Sequence, residues 1–587
     1  MKTKIILSTA LLLMLAACSS NDNVKPDDDN KGKVDIAQGI EFKVNFKDFN
    51  TDKEVAGSRA SQKPDIISRK TVDLGNRLLA EVTVQRDTAK SQRPTVSTRA
   101  LDNDTYTMLV FKGSFPSYTL EAQCTGTLKD GKFTPVGGVR LDPGKYIFVL
   151  HNSRLTKVTT PMGTTGLKLT RDNADKALIG QTEYTVTATP DPQYVDFEMS
   201  HVGCRMRIKL TGWMPIQAST TASLQDFNSA TLPKDCIFEM PYNGSTMEVG
   251  DLSGLNEPFT FPASATTPAA DGTYTTQSNE YLYFVPGINM EGFKLKFTGG
   301  QIYKHNMAGA GIQLISLVDP STHVATVTDI NESYLVNINL KYNFLYLMSD
   351  GTTDFLNSTQ YTALRADDGK TKIYRDKAGN LLATPKVPIA VVLSQSKGMA
   401  MALKDANGGT PVTWCTNTYF WKQTNTHHIL NMDEGLSSNE SNGLDETWNA
   451  GYTTSIVTGN KVKALNPDFP AFKAAADYNP GVTYTGSPAL QWYLPSYSDF
   501  KWMFSALGLG NKAIVTRSGN HYCYATLADM AFTQVGGTTF LEKWYWTSTE
   551  YGSNMGTDVM LSAPYTMTWD ANPRGGNLPV RSFVKYK

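Results

Sequence analysis

The 587-residue sequence lacks most of the features that would tie it to a particular chemistry. Cysteine is scarce, with six in the whole chain and none in a CxxC spacing. Apart from Cys18, five remain: Cys124, Cys204, Cys236, Cys415 and Cys523. An odd number without paired spacing argues against both a disulfide framework and a zinc site. They read as small buried hydrophobes, with a Cys415–Cys523 bridge left open because both lie in the last third. Net charge is also absent, since 55 Lys and Arg balance 55 Asp and Glu. No global field therefore favours nucleic acid or anionic lipid. No HExxH, GxSxG or P-loop spacing occurs. His427 and His428, near Asp433 and Glu434, read as loop residues, because adjacent histidines on a strand point apart. The expectation is a chain that is no enzyme and carries no cofactor or metal. Beyond residue 17 no apolar run reaches the length of a membrane span.

What is present begins with a signal for export. Lys2 and Lys4 precede "IILSTALLLMLAA" (5–17), a run too short to anchor stably across a bilayer. It ends in "LAAC", which resembles a bacterial lipoprotein signal. The resemblance implies acylation of Cys18, with a palmitate-type chain tethering the precursor to the outer membrane. Residues 18–38 then read as an acidic tether, "SSNDNVKPDDDNKGK" (19–33) having nothing to bury.

Strict alternation dominates the first 350 residues and predicts strands. Ile40, Phe42, Val44 and Phe46 share one face of "IEFKVNF". Leu78, Ala80, Val82 and Val84 share one face of "LLAEVTVQR". In "HVGCRMRIKL", Val202, Cys204, Met206, Ile208 and Leu210 point inward and Arg205, Arg207 and Lys209 outward. "SYLVNINLKYNF" repeats the pattern through Tyr334, Val336, Ile338, Leu340, Tyr342 and Phe344. One-faced strands at this density indicate antiparallel β-sandwiches, one or two of them over 100–347. After about residue 350 the composition shifts, and eight of the nine tryptophans fall beyond residue 413. Helical segments appear at 470–478 and 496–510, framed by strand-like runs at 386–393, 491–496, 543–552 and 579–587. The fold class expected is mostly β, with an α+β domain at the end.

The order of the pieces over 36–347 resembles the fimbrillin family, the pilins of Bacteroidetes type V pili. The matching elements are the lipoprotein signal, an early strand, "TRA" before "YTMLVF", "LDPGKYIFVLHN", and "YVDFEMSHVGCRMRIKL" around His201. The resemblance implies that an arginine-specific surface protease removes an N-terminal segment, 39–99, with its strand. Arg99 fits the cleavage position best, with Arg59 as runner-up. The strand displaced is Ile40, Phe42, Val44 and Phe46, and a strand from a neighbouring pilin subunit fills the groove. Localisation then runs from outer-membrane lipoprotein precursor to fimbrium.

Residues 348–375 read as a linker, and 376–587 resemble a C-type-lectin-like domain of the branch that includes formylglycine-generating-type proteins. The motifs are "WYLPSYSDF", "YWTSTEY" and "VRSFVKY". In that fold the first and last strands pair, so 387–393 should lie beside 580–586. With its terminal strand held there, the subunit can accept a neighbour's strand but cannot readily donate one, which places it at a fibre tip as an adhesin. Two loops, 431–451 and 568–576, offer candidate ligand contacts for a glycan or protein receptor: Asn442, Asp445, Glu446, Trp448, Trp569, Asp570, Asn572 and Arg574. Trp492, Trp544 and Trp546 sit in strand motifs and read as core. Calcium-binding lectins of this fold carry Glu-Pro-Asn or Gln-Pro-Asp, and neither occurs here.

Overall fold

Alternating apolar residues need one covered face on each strand to bury them, and the chain supplies that cover in two separate units. The computed structural model describes residues 32–49, 66–75, 77–87, 104–227, 232–244, 247–314, 327–355, 361–364, 372–374, 386–437 and 442–587. Cys18, Arg59 and Arg99 lie outside the described residues. Among the described residues, those within 1–46, 93–153 and 179–199 make one unit and the rest make the other. The span 100–347 is thus shared between two units.

The first unit is a closed barrel. Its order runs Leu178–Val186, Gln193–His201, Ile40–Phe46, Lys132–Val136, Ser117–Lys129, Thr105–Ser114 and Gly144–Asn152, then back to the first strand. Phe42, Phe133, Phe148 and Phe197 meet at its centre. Closure gives every strand a neighbour on both sides.

The second unit opens with a sandwich. One sheet runs Tyr274–Gln277, Cys204–Gly212, Ser333–Tyr342, Leu78–Arg86 and Ile66–Gly75. The other runs Asn256–Thr260, Thr221–Asp226, Phe293–Gly299 and Gly311–Gln313. Every inward residue named above in Cys204–Gly212 and Ser333–Tyr342 is buried. Arg205, expected outward, is instead buried between the rings of Phe49 and Tyr281, 4.1 and 4.0 Å from their centroids. Its planar cation is stabilised by two aromatic faces, which burial strengthens.

The last module of this unit has a six-stranded sheet. Its order is Thr353–Phe355, Leu345–Met348, Pro388–Ser394, Met399–Ala402, Phe583–Lys585 and Gln491–Tyr493. A five-stranded sheet holds His428–Ile429, Trp544–Tyr551, Met555–Ser562, Thr566–Pro573 and Gly519–Tyr522. Two boundary expectations are corrected here. The sheet begins at Leu345, not at 376, because all four residues of Leu345–Met348 are buried as in a strand covered on both sides. Pro388–Ser394 does not pair with the last strand. It turns back through Gly398 (φ +60°) into Met399–Ala402, which lies between the two. Helices Pro470–Ala476 and Phe500–Ala506 fall inside the expected segments, and Gly443–Trp448 and Ala525–Thr533 add to them. Trp414, Phe469, Phe472 and Trp546 form the core with Trp492, while Trp544 is half-buried. Tyr346 Oη donates to the carbonyl of Ala531 (2.7 Å) and Thr526 Oγ1 to that of Trp213 (3.4 Å), tying helix Ala525–Thr533 to what precedes it.

Candidate functional site

The strand Ile40–Phe46 closes the barrel from the N-terminal side of the sequence. It runs parallel to Gln193–His201 through seven paired positions, from Ile40 against Gln193 to Phe46 against Met199. Its other edge meets Lys132–Val136 at two positions only, Phe42 against Phe133 and Lys43 against Lys132. Parallel pairing is slightly weaker per residue than antiparallel pairing, and the second edge is short. Ile40, Phe42 and Val44 are buried, whereas Phe46, expected on the same inward face, is only half-buried. The anchor is therefore three side chains, centred on Phe42. Outside the barrel, Glu41 pairs with Lys132 at 3.0 Å and Lys43 lies 4.5 Å over the ring of Tyr194.

The other strands ahead of Arg99 behave differently. Leu78–Arg86 pairs over nine positions with Ser333–Tyr342 in the second unit, burying Leu78, Ala80, Val82 and Val84. Ile66–Gly75 is the edge strand of that sheet. The stretch 39–99 thus contributes to both units, and the two candidate cuts have different structural consequences. A cut after Arg59 frees the barrel strand alone. A cut after Arg99 also frees the hairpin of the second unit.

The candidate receptor residues divide by burial. Asp570 is exposed; Asn442, Asp445, Trp448 and Asn572 are half-buried. Trp448 donates its indole N–H to the carbonyl of Trp492 (2.8 Å), and Asn572 Nδ2 donates to Asp558 (2.5 Å). Burial, with Asp570 adding to it, pushes the Asp558 carboxyl up to about 7. Three candidates are corrected. Trp569 is core: its indole N–H donates to the carbonyl of Tyr497 (3.1 Å), and its ring packs on Phe504 and His521. Glu446 is buried, accepts from the Ser548 hydroxyl, and has its carboxyl pushed up to about 8 by that burial. Arg574 is wholly buried and ion-paired with Glu550. Large side chains reached by no solvent cannot contact a receptor.

Part of the chemistry read from sequence also falls elsewhere. The five described cysteines are free buried thiols, so no Cys415–Cys523 bridge forms. Burial pushes Cys415 and Cys523 up to about 12, which removes the thiolate that oxidative chemistry needs. The His427 ring packs on Tyr452 at 4.9 Å, and His428–Ile429 pairs with Glu550–Tyr551. Among the described residues no group of three or more His, Cys, Asp or Glu could hold a metal ion.

No family model matches the chain, and no curated protein matches it. Solved structures similar to it include a fimbrial protein of Bacteroides ovatus, at 11% identity and a TM-score of 0.24, over 94% of this chain and 100% of that one. Another, assigned as a cell adhesion protein of the same species, is 10% identical with a TM-score of 0.25 over 51% and 92%. A third, assigned as an adhesin of Bacteroides thetaiotaomicron, is 16% identical with a TM-score of 0.23 over 36% and 72%. Likeness at these scores carries no argument about function. What this chain does has to be read from its own geometry.

Two features of that geometry were out of reach of the sequence. The buried Glu550–Arg574 pair is one, since its members stand 24 residues apart, Glu550 in a strand-like run and Arg574 in one that looks like a surface loop. The destination of Leu78–Arg86 is the other, since alternation fixes a buried face but not the sheet that covers it.

Proposed function

We propose that this chain is an adhesive subunit of a surface fibre, exported as a lipoprotein on Cys18 and opened for assembly by cleavage after Arg99 or, failing that, Arg59. The observation that carries the reading is the position of Ile40–Phe46, a barrel-closing strand that lies upstream of both arginines. Its loss uncovers the partners of three buried side chains, each worth roughly 1.5–3 kcal/mol. The sum is comparable to the whole stability of a domain, about 5–15 kcal/mol. It also leaves the inner edge of Gln193–His201 with unpaired backbone groups. A strand from another subunit restores both terms, which is the logic of strand complementation. At the far end, Phe583–Lys585 is hydrogen-bonded on both sides, to Met399–Ala402 and Gln491–Tyr493. That strand is committed to its own sheet and is not itself available for donation. The last module, 345–587, would then present a lectin-like face to a glycan or protein receptor.

A second reading is an uncleaved surface lipoprotein that captures glycans. It is favoured by the seating of Ile40–Phe46 in the intact chain, where the strand pairs over seven positions with Gln193–His201. N-terminal sequencing of the protein recovered from the cell surface separates the two. A start at Ala100 or Ala60 is expected; an acylated Cys18 on the mature protein would leave the second reading.

A further inference from the structure

We propose that Trp421 is the stacking platform of a carbohydrate subsite on the last module. The proposal rests on the receptor-binding reading above and gives it a place and a ligand class. Trp421 is 72% exposed. A lone exposed ring on a slack loop would be unremarkable, but this loop is held from beneath by two buried charges. Arg574 Nη1 donates to the carbonyls of Tyr419 (3.3 Å) and Lys422 (2.6 Å), one on each side of the tryptophan. Glu550 accepts from the backbone N–H of Thr424 (2.8 Å) and Asn425 (2.5 Å). The two charges pair with each other and have no solvent contact. Below them Tyr419 stacks on Phe469 at 5.3 Å, and its hydroxyl accepts from the backbone N–H of Thr458 at 2.8 Å.

A buried ion pair gains little over apolar residues of the same volume, so stability alone does not explain this one. Its hydrogen bonds converge on the backbone of 419–425 and on Met555, the first residue of Met555–Ser562. The consequence is a fixed main chain around an exposed indole, which lowers the ordering entropy a ligand must overcome. The other exposed side chains of 417–427 are Asn417, Thr418, Lys422, Thr426 and His427, all polar. One aromatic face within a ring of amides, hydroxyls and an amine suits a pyranose, whose C–H face stacks while its hydroxyls hydrogen-bond at the rim. A protein partner would need roughly 800 Å² on this side with an apolar centre, whereas the exposed side chains of 417–427 supply one indole among polar groups.

The test applies the full-length protein and its Trp421→Ala variant to an immobilised panel of glucose-, galactose- and N-acetylglucosamine-terminated oligosaccharides. Unchanged thermal unfolding of the variant checks that an exposed substitution has left the fold intact. At least one oligosaccharide is expected to bind the wild-type protein and to bind the variant at least tenfold more weakly, with Trp421→Phe intermediate. Equal binding by wild type and Trp421→Ala would overturn the subsite while leaving glycan recognition standing. Binding of no oligosaccharide by the wild-type protein would overturn both the subsite and the glycan form of the receptor reading, and would point to a protein ligand.

Discussion

Single residues carry roles that their neighbours in sequence do not suggest. Arg574 stands in "TWDANPRGG", a run of loop-like composition, yet it serves as an internal clamp whose guanidinium is spent on backbone carbonyls. His201 is similar. It lies at the end of Gln193–His201, flat against Phe49 at 4.1 Å, and burial followed by the charge of Arg205 pushes its imidazole down to about 4. The folded state therefore resists protonation of a group that takes up a proton near 6.5 when unfolded. The stability this contributes is complete above that value and is lost as pH falls from about 6.5 toward 4, by up to about 3 kcal/mol. The urea midpoint should fall more steeply over this range in the wild-type protein than in His201→Leu. Parallel pH profiles would show that the imidazole is not the titrating group.

Among elements, Ile40–Phe46 is the one whose energetics decide the account. Phe42 is fully buried with its ring about 6 Å from three others, so truncation leaves a cavity at the barrel centre. Phe42→Ala should cost about 3–5 kcal/mol in chemical denaturation of the intact precursor. In a mature subunit from which cleavage has removed the strand, the substitution has no counterpart. This element was legible in the sequence because one face alternates cleanly, and so were Cys204–Gly212 and Ser333–Tyr342. Leu345–Met348 was not, because a strand covered on both faces has no alternation to read. Helix Ala525–Thr533 was missed for the same reason, being buried from Ala525 through Phe532. Of the receptor candidates, composition marked the last module but not which of its side chains are exposed. The interior positions of Trp569 and Arg574 depend on which strand covers them, and the prominence of Trp421 depends on a clamp assembled from distant segments.

At the scale of the whole molecule, the chain order matters more than any one contact. The residues ahead of Arg99 send one strand to the barrel and a hairpin to the second unit before the main body begins. A single backbone cut can therefore release parts of two finished sheets, and the site of the cut decides how many. Either cut would release the barrel strand, so assembly by strand exchange requires that its place can be vacated and refilled. The direct measurement is amide hydrogen exchange at Gln193–His201 in a chain that begins at Ala60, with and without a peptide spanning 36–46. Protection of these amides should be lost in the shortened chain and restored by the peptide. Protection equal to that of the intact chain in the absence of peptide would contradict assembly by strand exchange.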